Sequence, residues 1–208
     1  PPHYSVYIGG SEKIEIEDIT AFSCEGWSDG VDIMSSTDIT VKDCFLRTSD
    51  DCVAIYGRRW DYNADSRNIT VSSCCLWADV AHPTVIGTHG DYEHDGNVLE
   101  DIRFEDLDMV YEDIRIEPFQ RGKLLDIQVK RNPDYNPVPG GGIAHIRFKN
   151  ITYTGCGEVK SCIRGYDAEH IVSDVTIENL SIRGKKAESL AEAGIETGPF
   201  AKEIRLLS

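Results

Sequence analysis

A spacing of apolar residues that recurs along the chain constrains its fold more than any other feature. An Ile or Val is followed by an apolar residue two positions later, another three later, and a fourth two further on. The first and weakest copy consists of Ile14, Ile16, Ile19 and Ala21. Five more complete copies begin at Ile39, Ile69, Ile102, Ile146 and Val175, and a truncated copy begins at Ile204.

The spacing within each copy predicts two short strands joined by a tight bend. Alternation by two is typical of β-strands, and Asp or Asn often stands between the two halves of a copy. A further strand closes several copies, as in residues 31–33 and 53–55. Because such units cannot bury their apolar face alone, they must stack. The sequence therefore predicts an all-β, right-handed parallel β-helix of about seven coils, forming a single domain over residues 1–208.

Two segments depart from the repeat. The interval between the copies at Ile102 and Ile146 is the longest, and its segment 133–142 is rich in proline and glycine. This composition indicates either a long surface loop or an atypical extra coil. Residues 185–193 have a composition typical of a helix, which predicts a short helix that caps or flanks the stack.

Charge and cysteine content exclude several classes of function. The net charge of −15 repels polyanions, so we expect no nucleic-acid partner and no anionic membrane partner. No apolar run approaches the roughly 20 residues that a membrane span needs. The seven cysteines are an odd number without a CxxC pair, so they predict neither a zinc ribbon nor a complete disulfide framework. Cys44 and Cys74 occupy an apolar position of the repeat, which predicts that they are core residues.

Acidic residues converge when the coils are aligned on their closing strands. Placing residues 31–33 over residues 53–55 stacks Asp29 on Asp51, with Asp50 beside them, and the third coil brings His82 to the same level. Neighbouring coils lie about 4.8 Å apart. At that spacing, like charges disfavour simultaneous ionisation, so at least one carboxyl should keep a proton near neutral pH. Cleavage of a glycosidic bond requires such a proton donor beside a basic carboxylate.

A structural explanation competes with this interpretation. Asp is common in the turns of β-helices, where its side chain bonds nearby backbone amides. That explanation suffices for any single Asp of this chain. It does not account for the coincidence in register of Asp29, Asp50, Asp51 and His82, which favours a catalytic cluster.

The same residues resemble the motifs of the polygalacturonase family of glycoside hydrolases. Residues 27–30, Trp-Ser-Asp-Gly, resemble the Asn-Thr-Asp-Gly motif of that family, and residues 49–51, Ser-Asp-Asp, resemble its Gly/Gln-Asp-Asp motif. Residues 81–87 resemble its Gly-His-Gly segment, preceded by an insertion around residues 58–67. The related dextranase family shares the paired Asp and the β-helix. The resemblance covers roughly residues 13–120.

This resemblance implies a mechanism. Asp50 would be the general acid that protonates the leaving oxygen, and Asp29 and Asp51 would together activate the attacking water, inverting the anomeric carbon. Inversion needs a carboxyl separation of roughly 6.5–9.5 Å. His82 would bind substrate, holding the acid or the glycosidic oxygen through a hydrogen bond. No cofactor is expected.

The substrate-binding strand departs from the family pattern. Where the family has Arg-Ile-Lys, one match is Arg115-Ile116-Glu117, in which Arg115 would bind substrate and an anionic residue replaces the Lys. A shifted alignment offers Gln128-Val129-Lys130, with Lys130 as the substrate-binding cation. The first match disfavours polygalacturonate without excluding it, and the choice between the two stays open.

A second departure concerns length. In family members several coils precede the first catalytic motif, whereas here Asp29 arrives in the first full turn. The resemblance therefore implies that this chain is the C-terminal part of a longer β-helix enzyme. A stack cut at a coil boundary exposes an apolar end, so missing N-terminal coils or a second chain should cover Ile14 and Ile16.

The segment 89–96 is rich in possible metal ligands, but no spacing in it matches a standard metal site, so no metal site is predicted. Its His89, together with Trp60 and Trp77, could instead contact sugar. The insertions at 57–67 and 88–97 could also block one end of the cleft, which would favour action from a chain end.

The sequence thus favours an inverting glycoside hydrolase that acts on a plant or microbial polysaccharide or oligosaccharide. The alternatives are a catalytically silent carbohydrate-binding or adhesion β-helix, and a polysaccharide lyase or epimerase on the same fold. For an enzyme of this kind we expect a secreted or periplasmic location, although no signal-peptide pattern opens the chain.

Overall fold

The first of two main sheets contains parallel strands, one from each turn of the chain. A computed structural model describes residues 3–87, 89–90, 96–111, 123–131, 138–154 and 160–208. In sheet order, the seven strands of this first sheet are β1 (Val6–Gly9), β4 (Val31–Met34), β7 (Val53–Tyr56), β12 (Thr84–Gly87), β14 (Asp126–Gln128), β16 (Ser161–Arg164) and β19 (Ile195–Thr197).

The second sheet contains the strands of the apolar repeat. Its eleven strands are β2 (Glu12–Glu17), β3 (Thr20–Phe22), β5 (Thr37–Lys42), β6 (Phe45–Thr48), β10 (Ser66–Ser72), β11 (Cys75–Ala78), β13 (Val98–Tyr111), β15 (Gly142–Tyr153), β17 (Val172–Ile182), β18 (Lys185–Lys186) and β20 (Ala201–Leu207). A separate antiparallel hairpin consists of β8 (Arg58–Arg59) and β9 (Tyr62–Asn63).

The pairing register follows the sequence repeat through the second sheet. The first residues of the copies pair in one row, in the order Ile14, Ile39, Ile69, Ile102, Ile146, Val175 and Ile204. The apolar side chains of the two sheets meet in one core, because the inward positions of both sheets are buried. The prediction of an all-β parallel β-helix of about seven coils is confirmed.

Left-handed residues produce the bend within each repeat. These residues have φ between 52° and 55° and are Asp43, Ser73, Asp106, Asn150 and Asn179. Asp and Asn tolerate this conformation better than most residues because their short polar side chains bond locally. Asn150 donates to Asp106 at 2.6 Å and accepts from Asn179 at 2.9 Å, so the bends form a polar ladder along the outside. The bends therefore fall where the sequence predicted them.

Aromatic and thiol side chains fill the core beside this ladder. Phe104 and Phe148 stack with their centroids 5.0 Å apart and their planes 7° apart. Cys44 and Cys74 are buried at equivalent positions of adjacent coils, as predicted.

The two irregular segments compare differently with expectation. Strand β14 pairs with β12 and β16, so it adds one strand of the long interval after Ile102 to the first sheet. Residues 132–137, which include most of the prolines of the segment 133–142, lie outside the described residues, so the choice between a loop and an extra coil stays open there. The predicted helix at residues 185–193 is wrong. The segment contains β18 and hydrogen-bonded turns such as the one from Ala193 N to Ser189 O, at 3.0 Å. In the described parts of the chain, no helix is long and apolar enough to cross a membrane.

Candidate active site

The loops that precede three strands of the first sheet hold the candidate site. Backbone hydrogen bonds join these loops, because Gly30 N donates to Asp51 O at 2.8 Å and Cys52 N donates to His82 O at 2.9 Å. A Cβ at position 30 would lie 2.3 Å from the carbonyl oxygen of Cys52, so the residue after Asp29 must be glycine. The predicted register of Asp29, Asp51 and His82 is therefore present.

Serine side chains tie the first two loops together beneath the carboxylates. The hydroxyls of Ser28 and Ser49 lie 3.0 Å apart, and both contact the carbonyl oxygen of Glu25. Thr48 Oγ1 donates to the carbonyl oxygen of Asp50 at 2.7 Å. All three hydroxyls are attached to buried residues, so they hold Asp29 and Asp50 at fixed positions.

Two of the carboxylates have defined hydrogen bonds. Asp51 Oδ1 lies 2.8 Å from His82 Nδ1 and accepts from the His82 backbone N–H at 3.0 Å. Asp50 Oδ1 accepts from the Asp51 N–H at 3.1 Å. Burial alone would lower the pKa of His82, but the hydrogen bond and charge of Asp51 outweigh it, so the pKa is raised. His82 therefore holds the side chain of Asp51 in position through two hydrogen bonds.

Crowding raises the pKa of the neighbouring acids. Burial, followed by the charges of Asp32, Asp50 and Asp51, raises the pKa of Asp29 to about 9. Burial and the charge of Asp51 also raise the pKa of Asp50. The cluster therefore retains a proton at neutral pH, as the sequence predicted from like charges on adjacent coils.

Asp32 is a fourth carboxyl that the sequence analysis missed. It lies on β4 and is fully buried, and its carboxyl interacts with that of Asp29. Burial, partly opposed by the charge of Arg59, raises the pKa of Asp32 to about 7. The available signal was an acidic residue in an otherwise apolar strand, three positions after Asp29.

The carboxylates open into a cleft of about 420 Å³, which is within the range of small-molecule sites. Its lining residues are His3, Tyr4, Trp27, Asp29, Asp50, Asp51, Tyr56, Arg59 and His89. Tyr4 precedes β1 and stands in the same register row as Asp29, because Val6 pairs with Val31.

A guanidinium faces the acids across this cleft. Arg59, on the β8–β9 hairpin, contacts the Tyr4 hydroxyl and His89 Nε2. Its carbon Cζ lies 5.4 Å from the ring centroid of Tyr4 and 5.6 Å from that of Tyr56. Burial, Arg59 and Lys130 lower the pKa of His89 to about 3, so its ring is neutral and Nε2 can accept from Arg59.

The hairpin that carries Arg59 is anchored on the first coil. A Cβ at Gly9 would lie 2.3 Å from the ring of Tyr62, so that ring packs directly on the glycine backbone. The sequence analysis placed an insertion around residues 58–67, and residues 58–63 of this insertion form the hairpin. Because its contacts join residues far apart in the chain, no sequence pattern indicated the position of Arg59.

The predicted site residues divide into three groups. Asp29, Asp50, Asp51 and His89 line the cleft, and His82 supports Asp51 from beside it. Lys130 and His89 both line a smaller neighbouring cavity. Arg115, with the rest of its motif, lies outside the described residues.

Two further expectations concern Trp77 and metal binding. Trp77 lies on β11 of the second sheet with Arg47 at 4.2 Å from its ring centroid, and it does not line the cleft. Among the described residues, no three His, Cys, Asp or Glu side chains are arranged to hold a metal ion.

Comparison with known proteins assigns the family. Residues 2–120 match the family described as glycosyl hydrolases family 28. No match was found among curated proteins. A similar solved structure is the family 28 exopolygalacturonase of Yersinia enterocolitica, with 13% identity and a TM-score of 0.44, and the match covers 85% of this chain and 38% of that chain. This chain therefore spans less than half the length of that protein. Residues 2–120 make up more than half of this chain, so the chain belongs to glycosyl hydrolase family 28.

Proposed function

We propose that this chain carries the catalytic carboxylates of an inverting glycoside hydrolase, which cleaves a polysaccharide or oligosaccharide without a cofactor. The observation that carries the proposal is the convergence of Asp29, Asp50 and Asp51, from adjacent coils, on one cleft. The reaction joins a water oxygen to the anomeric carbon while the bond to the leaving oxygen breaks. It therefore needs one proton donor and one proton acceptor.

Asp50 is the proposed donor. Its Oδ1 accepts from the Asp51 N–H, which orients the carboxyl, and its Oδ2 has no protein partner among the described residues. The raised pKa of Asp50 keeps a proton available for the leaving oxygen.

Asp51 is the proposed acceptor of the proton from water, with Asp29 holding the same water. The two hydrogen bonds from His82 stabilise negative charge on Asp51 and fix its orientation. Asp29 keeps its own proton at neutral pH, since its pKa is raised to about 9 by burial and neighbouring charge. Asp29 can therefore orient the water, but it accepts no proton from the water while its own carboxyl is protonated.

A different assignment of the donor follows from the same numbers. The pKa of Asp29 is raised to about 9, so Asp29 also carries a proton at neutral pH and is the second candidate for the acid. The pH–rate profiles of Asp50→Asn and Asp29→Asn separate the two assignments. The fall in rate at alkaline pH reports deprotonation of the donor, so it should disappear only in the variant that lacks the donor.

A lyase or epimerase is the enzyme alternative, and Arg59 in the cleft is the observation that favours it. Such a reaction needs Arg or Lys to act as a base. Burial lowers the pKa of Arg59, but Tyr56, Tyr4 and Asp32 outweigh it, so the pKa is raised. Arg59 therefore keeps its positive charge and does not supply the base that a lyase or epimerase needs. A lyase of this kind also depends on a carboxylate-bound calcium ion, so loss of activity in a chelator would favour the lyase.

The deciding experiment measures reducing ends released from a panel of glycans by five proteins. These are the wild type, Asp29→Asn, Asp50→Asn, Asp51→Asn and the control Asp43→Asn, in which the changed residue lies in a bend of the second sheet. Loss of the general acid should reduce kcat by about 10²–10⁴-fold, while Asp43→Asn should keep full activity. The proposal is wrong if Asp29→Asn, Asp50→Asn and Asp51→Asn all leave hydrolysis unchanged.

Binding to the same glycans distinguishes the silent binding module. Under the hydrolase proposal, Asp50→Asn should still bind glycan while releasing no sugar. A wild type that binds glycan and releases no reducing ends would show the module instead. We further propose that the enzyme is secreted or periplasmic, and that further coils or a second chain cover the first coil, where Ile14 is exposed.

A further inference from the structure

Three aromatic side chains form a continuous exposed surface at the edge of the cleft. Trp60 is 51% exposed and Tyr7 is 57% exposed. The ring centroid of Trp60 lies 5.6 Å from that of Tyr7 and 5.8 Å from that of Tyr4, both in edge contacts. We call Tyr4, Tyr7 and Trp60 the aromatic platform.

The platform is held in position from below and from the side. Tyr62 packs on Gly9, which fixes the hairpin over the first coil. Arg59 lies with Cζ 5.0 Å from the ring centroid of Trp60 and is itself bound to Tyr4. An exposed surface with so many fixed supports is pre-organised, so little ordering is needed when it binds a ligand.

The backbone at Trp60 is in an unfavourable conformation. Its φ of 52° is in the left-handed region, which a bulky aromatic residue rarely adopts. Trp27, which lines the cleft and is 71% exposed, has a φ of 64°. Strain of this kind persists where the surrounding structure imposes it, and it concentrates at ligand sites. Both strained tryptophans lie at the rim of one cleft.

The platform continues the cleft without a break. Tyr4 lines the cleft together with Asp29, and the same ring contacts Trp60 outside it. A ligand that extends from the carboxylates past Tyr4 therefore reaches Trp60 and Tyr7. Aromatic rings of this kind stack on the CH faces of pyranose rings, while the Tyr hydroxyls and Arg59 can bond sugar hydroxyls.

We propose that the aromatic platform is a sugar-binding subsite, which holds a pyranose ring of the same chain that is cut in the cleft. The inference rests on the proposed function, because continuity with the cleft identifies the ligand as carbohydrate. It predicts that affinity increases with chain length until the platform is filled. A second copy of the chain or another protein would also cover an aromatic surface, so the test includes both outcomes.

The test measures glycan binding in an Asp50→Asn background, where the ligand is not consumed. The probes are oligogalacturonides and neutral galacto-oligosaccharides, each as disaccharide and hexasaccharide, titrated by calorimetry. Adding Trp60→Ala should weaken hexasaccharide binding by about tenfold and disaccharide binding much less. Adding Trp60→Tyr should restore most of the difference. Trp77→Phe, which changes a tryptophan outside the cleft, should have no effect.

The possible outcomes separate this inference from the proposed function. Equal hexasaccharide affinity with and without Trp60→Ala overturns the subsite, as does the absence of any gain from disaccharide to hexasaccharide in both series. A change of oligomeric state on Trp60→Ala, or loss of a bound protein with glycan affinity unchanged, also overturns it. If the wild type releases no reducing ends, the proposed hydrolase function is wrong. The binding titration does not depend on sugar release, so it still tests whether the aromatic platform binds glycan.

Discussion

The left-handed residues of the second sheet and those beside the cleft differ in type and in regularity. In the second sheet they recur at equivalent positions of successive coils, and most of them are short polar residues such as Asp43 and Asn150. Beside the cleft they are Trp27 and Trp60, which belong to no repeated position. The bends of the second sheet set the register of the solenoid, whereas the departures from that register form the site.

The same difference holds for the acidic residues. Asp106 on the bend ladder is bonded by the side chain of Asn150 at the surface. Asp29, in the loop before β4, and Asp32, on β4, are both buried, and the charge of Asp32 raises the pKa of Asp29. The acids of the bend ladder are therefore solvated and bonded, whereas those beside the cleft are buried and raise one another's pKa.

The largest expected effect comes from breaking the shared core. Phe148→Ala removes a ring that is fully buried and stacked on Phe104. It should lower the free energy of unfolding by about 3–5 kcal/mol, measured by urea denaturation. Phe22→Ala is the control, because Phe22 is 60% exposed, and it should cost less than about 1 kcal/mol. Equal losses in the two variants would contradict this description of the core.

The next largest effect tests whether His82 positions Asp51 or binds substrate directly. His82→Ala removes the side-chain hydrogen bond to Asp51 and leaves the backbone one. Since hydrogen bonds to charged groups contribute about 1.5–3 kcal/mol, kcat should fall by about 10–100-fold with KM little changed. A raised KM with unchanged kcat would show that His82 binds substrate directly.

A smaller effect concerns pH. The folded protein binds the Asp29 proton more tightly than the unfolded chain, because the pKa is raised to about 9. Stability from this group is therefore present in acid and is lost as the pH rises from about 4 to about 9. Asp29→Asn should remove this dependence and stabilise the protein at pH 8 by about 1–2 kcal/mol relative to wild type.

Thermal unfolding at pH 5 and pH 8 measures this change, with Asp43→Asn as the matched control that should show no such pH difference. If Asp29→Asn destabilised the protein at pH 8, the carboxyl would have to be ionised and favourably bound in the folded state.

The smallest effect tests the bend ladder. Asn150→Ala loses side-chain hydrogen bonds at a left-handed residue, and it should cost about 1–2 kcal/mol of unfolding free energy in urea. Asn150→Gly loses the same bonds and relieves the backbone, so it should cost less. A larger loss with Gly than with Ala would show that the backbone conformation is not what Asn supplies.

Local pairing made much of this molecule predictable from its sequence. Equivalent apolar residues of adjacent coils must face each other, so Ile39 could be placed beside Ile69 without coordinates. The alignment of β4 on β7 needs no gap, so the stacking of Asp29 on Asp51 followed from the same reasoning. Asp32 was within reach of this argument, since an acid in a buried strand needs an explanation.

Other parts of the site depend on contacts between distant segments. Arg59 reaches Tyr4 only because Tyr62 packs on Gly9, and no periodic pattern encodes that contact. The predicted helix at residues 185–193 failed because composition alone supported it, while the segment instead forms β18 and turns beside the preceding strand.

We propose that carboxylates from adjacent coils cleave a glycosidic bond with water attacking from the opposite side. NMR of the first product formed by the wild type, taken before the anomers equilibrate, tests this directly. We expect a product whose anomeric configuration is opposite to that of the bond cleaved. A product that retains the configuration would contradict it, because retention requires a covalent intermediate on one of these carboxylates.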